Sequence, residues 1–105
     1  MAGIAIKNPT TVATVGSTVG TTAFAADCIE VVLRARKTNT HAVHLNIQNA
    51  DAGDVNPTST GGNAITLEPT ESVILPVHGN AQVAYIRDSG ASTDQKLEVT
   101  QVLQA

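Results

Sequence analysis

Aromatic side chains are scarce in this 105-residue chain, which has one phenylalanine, one tyrosine and no tryptophan. This scarcity disfavours a sugar-binding face built on exposed aromatic platforms. Basic residues are also few, because six lysines and arginines stand against nine acidic residues, for a net charge of −3. The chain therefore lacks both the basic stripe of a nucleic-acid-binding protein and the polybasic patch that attracts a membrane surface. We expect neither nucleic acid nor membrane among its partners.

Cysteine and long apolar segments are equally rare. Cys28 is the only cysteine, so no disulfide can form within the chain. No apolar run approaches the roughly 20 residues of a membrane-spanning helix. The first residues lack the charged start and apolar stretch of a secretory signal, which predicts a protein that is made and used without export.

A helical hydrophobic period is almost absent, and a period of two takes its place. The segment 28–36 shows it most clearly, because apolar and charged side chains alternate along it. Successive side chains of a strand leave opposite faces of the sheet, so this pattern predicts a half-buried strand. The apolar side holds Ile29, Val31, Leu33 and Ala35, and the polar side holds Glu30, Arg34 and Arg36.

The same alternation recurs through the rest of the chain, with turn-forming residues every eight to twelve positions. The further strands are predicted at 42–48, 64–68, 72–77, 81–87 and 96–103. Strands 28–36 and 42–48 are predicted to form a hairpin, with Asn39 suited to a left-handed turn position. Pro76 lacks a backbone donor, so its strand is predicted to lie at the edge of a sheet or to end there. The pattern indicates an all-β protein, an antiparallel β-sandwich or jelly roll of seven to nine strands.

Two segments differ from this pattern. Residues 1–26 are rich in threonine, glycine and alanine, and predict either an extended N-terminal arm or one or two irregular strands ahead of a β-sandwich domain at 27–105. Residues 49–63 form the longest loop. Loops of this length in compact domains are usually functional or bound to a partner.

The candidate metal ligands are three histidines and Cys28. His41 and His44 are three residues apart, and His78 lies farther along the chain. Zinc sites usually hold their ligands in tight pairs, but residues three apart in a strand point to opposite faces. We therefore expect His44 on a solvent-facing side of a strand and His41 in a turn, with no metal site.

The long loop offers oxygen ligands for calcium in Asp51, Asp54 and Asn56. The spacing lacks the loop pattern and terminal glutamate of an EF-hand. Aspartate, asparagine and glycine are also ordinary loop residues, which is the simpler interpretation.

No residue set predicts a reaction centre or a bound cofactor. Cys28 alternates with Glu30, whose charge would raise a thiol pKa and suppress the nucleophile. Ser72 and Ser89 lack the surroundings of a hydrolase nucleophile. Glu68 and Glu71 flank a predicted turn, and Gly61-Gly62 has no following helix to bind phosphate. The sequence predicts no enzyme.

Arg34, Arg36 and Lys37 form the one concentrated basic patch. They lie on the polar face and at the end of the strand 28–36. Two interpretations remain open: an interaction with acidic residues of a partner or neighbouring copy, and a solvated edge whose charges discourage aggregation.

The order of elements from Cys28 onward resembles small β-sandwich virion proteins of tailed bacteriophages. The resemblance lies in Val31-Val-Leu-Arg-Ala-Arg-Lys-Thr-Asn-Thr40, Val43-His-Leu-Asn-Ile47, Leu67-Glu-Pro-Thr-Glu-Ser-Val-Ile-Leu-Pro-Val77 and Val83-Ala-Tyr-Ile86. It spans about three-quarters of the chain. The longer middle loop and the N-terminal segment depart from that pattern.

The resemblance implies a capsid decoration, or cement, protein on the outer surface of a phage head, present in the host cytoplasm during assembly. Its expected partners are the major capsid protein and neighbouring copies in a dimer or trimer. A phage tail, neck or fibre component and a calcium-dependent lectin-like module remain the alternatives. The expected contacts come from the N-terminal segment, the basic patch and the long loop: Ile4, Ile6, Lys7, Arg34, Arg36, Asp51 and Asp54.

Overall fold

A computed structural model describes residues 10–49, 54–78 and 81–104 of the chain. These residues form eight strands and no helix. The strands are β1 (Thr10–Val15), β2 (Gly20–Ala23), β3 (Cys28–Ala35), β4 (Val43–Gln48), β5 (Ile65–Leu67), β6 (Ser72–Pro76), β7 (Gln82–Arg87) and β8 (Gln95–Leu103). The all-β prediction is confirmed. Residues 1–9, which include the predicted contacts Ile4, Ile6 and Lys7, lie outside the described part.

The strands are divided between two antiparallel four-stranded sheets. Sheet I has the order β1-β8-β3-β6, and sheet II has the order β2-β7-β4-β5. The pairing is nested along the chain, since β1 pairs with β8, β2 with β7, β3 with β6 and β4 with β5. Two further ladders, β3 with β8 and β4 with β7, complete the sheets.

One apolar cluster is shared by the inner faces of both sheets. Sheet I contributes Val31 and Leu33 of β3, and sheet II contributes Val43 and Leu45 of β4, all fully buried. The alternating residues of β7 and β8 continue the same layer, as their sequence pattern predicts. Two sheets around one aliphatic core are consistent with the predicted β-sandwich.

The predicted hairpin between the strands 28–36 and 42–48 is wrong. β3 belongs to sheet I and β4 to sheet II, so the connection 36–42 crosses from one sheet to the other. Asn39 does not adopt a left-handed conformation; within the described part of the chain, the non-glycine residues with a positive φ are Asn63 and Thr70. Instead, its side-chain amide pairs with both backbone groups of Lys96, like one more residue of the ladder.

A bulge shifts the start of β3. The register with β8 slips between Cys28 and Glu30, which turns Cys28 inward and leaves Ile29 38% exposed. The prediction that Ile29 belongs to the core side is therefore wrong, whereas Val31, Leu33 and Ala35 are buried as predicted. A bulge places two residues of one strand opposite one of its partner and so reverses the alternation before it.

The N-terminal prediction of irregular strands describes residues 10–23, and an extended arm is not confirmed. β1 pairs with β8 over six residues, and β2 pairs with β7. Close packing against Tyr85 requires a glycine at position 20 of β2. A Cβ atom at Gly20 would lie 2.8 Å from the ring of Tyr85, whose hydroxyl bonds the Thr22 hydroxyl at 2.8 Å.

Candidate functional site

The outer face of sheet II is covered by the chain itself. Residues 54–63, here called the covering loop, lie over β4 and contact it through hydrogen bonds. Gln48 donates to the Val55 carbonyl at 3.1 Å and to the Asn56 side-chain oxygen at 2.7 Å, and Asn46 also donates to the Val55 carbonyl. Pro57 within the loop is fully buried. The long loop therefore covers the outer face of sheet II at β4.

His44 lies beneath the covering loop and is only 3% exposed. Its Nε2 is 2.8 Å from a carboxylate oxygen of Asp88, and its Nδ1 is 2.9 Å from the Thr66 hydroxyl. A Cβ atom at Gly61 would lie 3.0 Å from the imidazole ring. The expectation of a solvent-facing His44 is wrong, because alternation assigns the side of the sheet but does not tell what covers that side.

The contact with His44 changes the pKa of Asp88. The hydrogen bond from His44, followed by one from the Gly90 backbone amide, lowers the pKa of the Asp88 carboxyl. Because the ionised carboxylate accepts only, His44 carries its proton on Nε2. The buried histidine thus joins β4, β5 and the turn after β7.

The other predicted metal and nucleophile candidates are placed apart. His41 bonds the Thr40 hydroxyl in the connection 36–42, and His78 is exposed after β6. Among the described residues no group of three or more histidine, cysteine, aspartate or glutamate side chains could hold a metal ion. In the calcium candidate, Asn56 contacts Gln48, Asp54 is exposed, and Asp51 lies outside the described residues.

Cys28 is buried, and its environment suppresses the thiolate. Desolvation by burial is the main reason why its pKa is raised, and the negative charge of Asp27 acts in the same direction. Its Sγ donates to the Glu30 carbonyl at 3.3 Å, a bond that only the protonated thiol can make. The sequence prediction named the Glu30 carboxylate as the cause, but the bulge turns Cys28 away from that side chain.

The outer face of sheet I differs from that of sheet II. On the two middle strands it carries Glu30, Val32 and Arg34 of β3 beside Val102, Thr100 and Glu98 of β8. The edge strands add Val12 and Ile74, which are 45% and 61% exposed. We call this surface the sheet I face, comprising the outward side chains of β1, β3, β6 and β8. No described segment lies over it.

Several side chains of the sheet I face pair with one another. Lys96 donates to the Thr14 hydroxyl at 2.8 Å, the hydroxyls of Thr10 and Thr100 are 2.9 Å apart, and Arg36 lies 3.5 Å from a carboxylate oxygen of Glu98. Glu30 and Arg34 have no side-chain partner within the described part of the chain.

The predicted basic patch lies at one end of the sheet I face. Arg34, Arg36, Lys37 and Thr38 line an open cavity of about 370 Å³ together with Glu98. The structure thus brings Arg34 and Arg36 together, as the sequence predicts, and adds an acidic neighbour. Asp54, another predicted contact, belongs to the covering loop of the opposite sheet.

Sequence reasoning missed two apolar members of this face, Val32 and Ile74. Each stands between two inward-facing aliphatic residues, in the runs Val31-Val-Leu33 and Val73-Ile-Leu75. A strand that contains three consecutive large aliphatic residues must turn at least one outward unless both its faces are covered. That signal was available without the structure.

Comparisons with known proteins show similarity in fold alone. No protein-family model matches the chain, and no curated relative matches it. A solved structure described as "Bacillus endospore appendages form a novel family of disulfide-linked pili" is similar, with a TM-score of 0.59, 13% identity, and coverage of 97% of this chain and 88% of that chain. A second, "Structure of IMPa from Pseudomonas aeruginosa in complex with an O-glycopeptide", has a TM-score of 0.48 and 17% identity. The alignment covers 98% of this chain but only 13% of that chain. At these identities the chain shares an all-β architecture with a pilus subunit of Bacillus spore appendages.

Proposed function

We propose that this chain is a structural subunit that attaches to a larger assembly through its sheet I face. The assembly we propose first is the outer surface of a phage head, which the chain would stabilise as a capsid decoration protein. The major capsid protein and further copies of the chain would be its partners there. The proposal assigns no reaction and no cofactor to the chain.

The contrast between the two outer faces supports this proposal most directly. The chain folds a loop of its own over sheet II and satisfies its polar groups there. On sheet I, Ile74 and Val12 are exposed, and Arg34 has no side-chain partner among the residues that the structure describes. Exposed apolar groups rimmed by polar residues commonly mark an interaction surface. Many such weak contacts, repeated over a lattice, hold by avidity.

We also propose that the eight strands form a jelly roll. The nested pairing of first with last strand, second with seventh, and so on inward supports this topology. Jelly rolls are two-sheet structures of eight strands that occur in viral capsid domains. This fold supports many functions, so it agrees with a virion role without selecting it.

A filament or appendage subunit is a second candidate, and the similarity to the Bacillus pilus structure favours it. That structure is described as a disulfide-linked pilus. The single cysteine of this chain, Cys28, is 2% exposed. A filament of this chain would therefore be held by non-covalent contacts of its surface.

Co-sedimentation with empty phage heads tests the proposed attachment. We expect the wild-type protein to sediment with heads and Ile74→Lys to remain in the supernatant. Val55→Lys is the matched control, because Val55 is also exposed, at 52%, but lies on the covering loop of the other sheet. It should sediment like the wild type. Equal binding by all three proteins would contradict attachment through the sheet I face.

Negative-stain electron microscopy of the purified protein alone distinguishes the two candidates. Filaments that form without heads favour the appendage subunit. A protein that stays dispersed and binds only to heads favours the decoration protein. Loss of filaments on reduction would contradict the expectation that Cys28 forms no bond between copies.

A further inference from the structure

We propose that the sheet I face binds a second copy of this chain through a two-fold axis that passes over Val32. This inference rests on the proposed function, which names further copies of the chain as partners of this face, and it makes a second copy the partner that covers Ile74 while the chain is free of the head. Its basis is the order of outward side chains along β3, where acidic Glu30, apolar Val32 and basic Arg34 follow one another.

The two charges cannot neutralise each other within one copy. They lie four positions apart along an extended strand, a distance of about 13 Å. Neither has a side-chain partner among the described residues. Both nevertheless lie on the same side of the same strand, so a partner that contacts one can contact the other.

A second copy supplies the complementary order. Turning the sheet I face over, about an axis that lies in the interface and runs perpendicular to the strands, reverses the direction of β3. Glu30 of each copy then lies opposite Arg34 of the other, and Val32 lies opposite its own equivalent. Such an isologous contact uses the same surface twice and closes on itself.

The apolar residues of the face fit the same axis. Ile74 lies directly beside Val32 in the ladder of β3 with β6. An axis along this row brings the two copies of Ile74 toward each other and removes from water a side chain that is 61% exposed in the isolated chain. Exchange of complementary charges around an apolar centre also fixes the orientation of the partner.

Sedimentation equilibrium over a concentration series measures the self-association. We expect a monomer–dimer equilibrium for the wild-type protein. We test two single variants, Arg34→Glu and Glu30→Arg. The affinity of each for itself should fall at least about tenfold, because like charges then face each other twice in every dimer. Glu68→Arg, an exposed glutamate in the turn between β5 and β6, is the control and should dimerise normally.

Mixing the two weakened variants gives the decisive result. One variant has acidic residues at positions 30 and 34, and the other has basic residues at both. The proposed axis therefore makes both contacts of the mixed dimer complementary, whereas each variant repels itself. We expect native mass spectrometry to show a mixed dimer with an affinity restored to within a few-fold of the wild type, and the same restoration in the doubly substituted chain.

Either of two results would overturn this inference. One is a wild-type protein that stays monomeric over the whole concentration range. The other is a mixture that remains as weak as its components, because some other contact then uses these charges. Loss of head binding in Ile74→Lys together with a monomeric wild type would reject the two-fold dimer while retaining the proposed attachment face. A dimer without head binding would reject the capsid role alone.

Discussion

The outer faces of the two sheets are built from similar strands, but a loop covers part of one face and no described segment covers the other. On sheet II, His44, Asn46 and Gln48 are engaged with the covering loop and the turn after β7. On sheet I, Arg34 and Ile74 have no described segment over them. The difference shows that a strand's outward side chains do not by themselves define a solvent face. What lies over them decides whether they stabilise the monomer or are available to a partner.

This contrast assigns separate roles to the two faces. Substitutions on sheet II should lower the stability of the isolated chain, because they leave buried polar groups unpaired. Substitutions on the sheet I face should leave monomer stability almost unchanged and act on association. The predictions below test this separation, starting with the largest expected change.

Replacing His44 by alanine should cause the largest loss. The variant removes the buried imidazole, which deprives Asp88 and Thr66 of this hydrogen-bond partner and leaves a cavity beneath Gly61. We expect the free energy of unfolding to fall by about 2–3 kcal/mol, measured by urea denaturation. Arg34→Ala on the sheet I face is the control and should change it by no more than about 0.5 kcal/mol. Equal effects of the two variants would remove the contrast.

A pair of adjacent glycines gives the next test. Gly61 has a φ of +84°, and an added Cβ would lie 3.0 Å from the His44 ring, whereas Gly62 has no such φ and its Cβ would be 3.5 Å from Thr58. We expect Gly61→Ala to cost about 1–2 kcal/mol, because a left-handed residue with a Cβ is strained. Gly62→Ala should be close to neutral in the same urea titration. A neutral Gly61→Ala would show that the covering loop does not depend on this backbone conformation.

Sequence patterns predicted the strands well because burial on the inner faces follows a local period of two. Val31, Leu33, Val99 and the other core residues are where alternation places them. The edge position of Pro76 also followed from a local property, its missing donor, and β6 is an edge strand of sheet I. These features depend on a few neighbouring residues.

The sequence predictions that were wrong depend on residues far apart. A short polar connection such as 36–42 can close a hairpin or cross between sheets, and the amide of Asn39 bonded to Lys96 belongs to the second case. His44 is bonded by Thr66 and Asp88, which lie 22 and 44 positions farther along the chain. Of the candidate site, the basic end at Arg34 and Arg36 was predictable, because both lie on one side of one strand. The contrast with sheet II was not.

The contact between Asp88 and His44 should also make sheet II sensitive to acid. The hydrogen bond from His44 lowers the pKa of Asp88 in the folded state. A lowered carboxyl pKa stabilises the protein fully above the ordinary aspartate value of about 3.9, and this contribution is lost as the pH falls through the lower folded value. We expect the unfolding free energy of the wild type to decline in that range. Asp88→Asn should be less stable at neutral pH and should lack this part of the decline. Parallel pH profiles of the two proteins would contradict the coupling.

The smallest change in monomer stability is expected on the sheet I face. Ile74→Thr keeps a β-branched residue in an edge strand and removes a side chain that is already 61% exposed. We expect its unfolding free energy, measured at a concentration where the protein is monomeric, to stay within about 0.5 kcal/mol of the wild type. Val55→Thr on the covering loop is the matched control. The two variants should differ in self-association, which Ile74→Thr weakens and Val55→Thr does not, because Ile74 lies on the proposed axis and Val55 does not. A large destabilisation by Ile74→Thr would mean that Ile74 packs within its own chain, and the two faces would then no longer differ in the way that the proposed function requires.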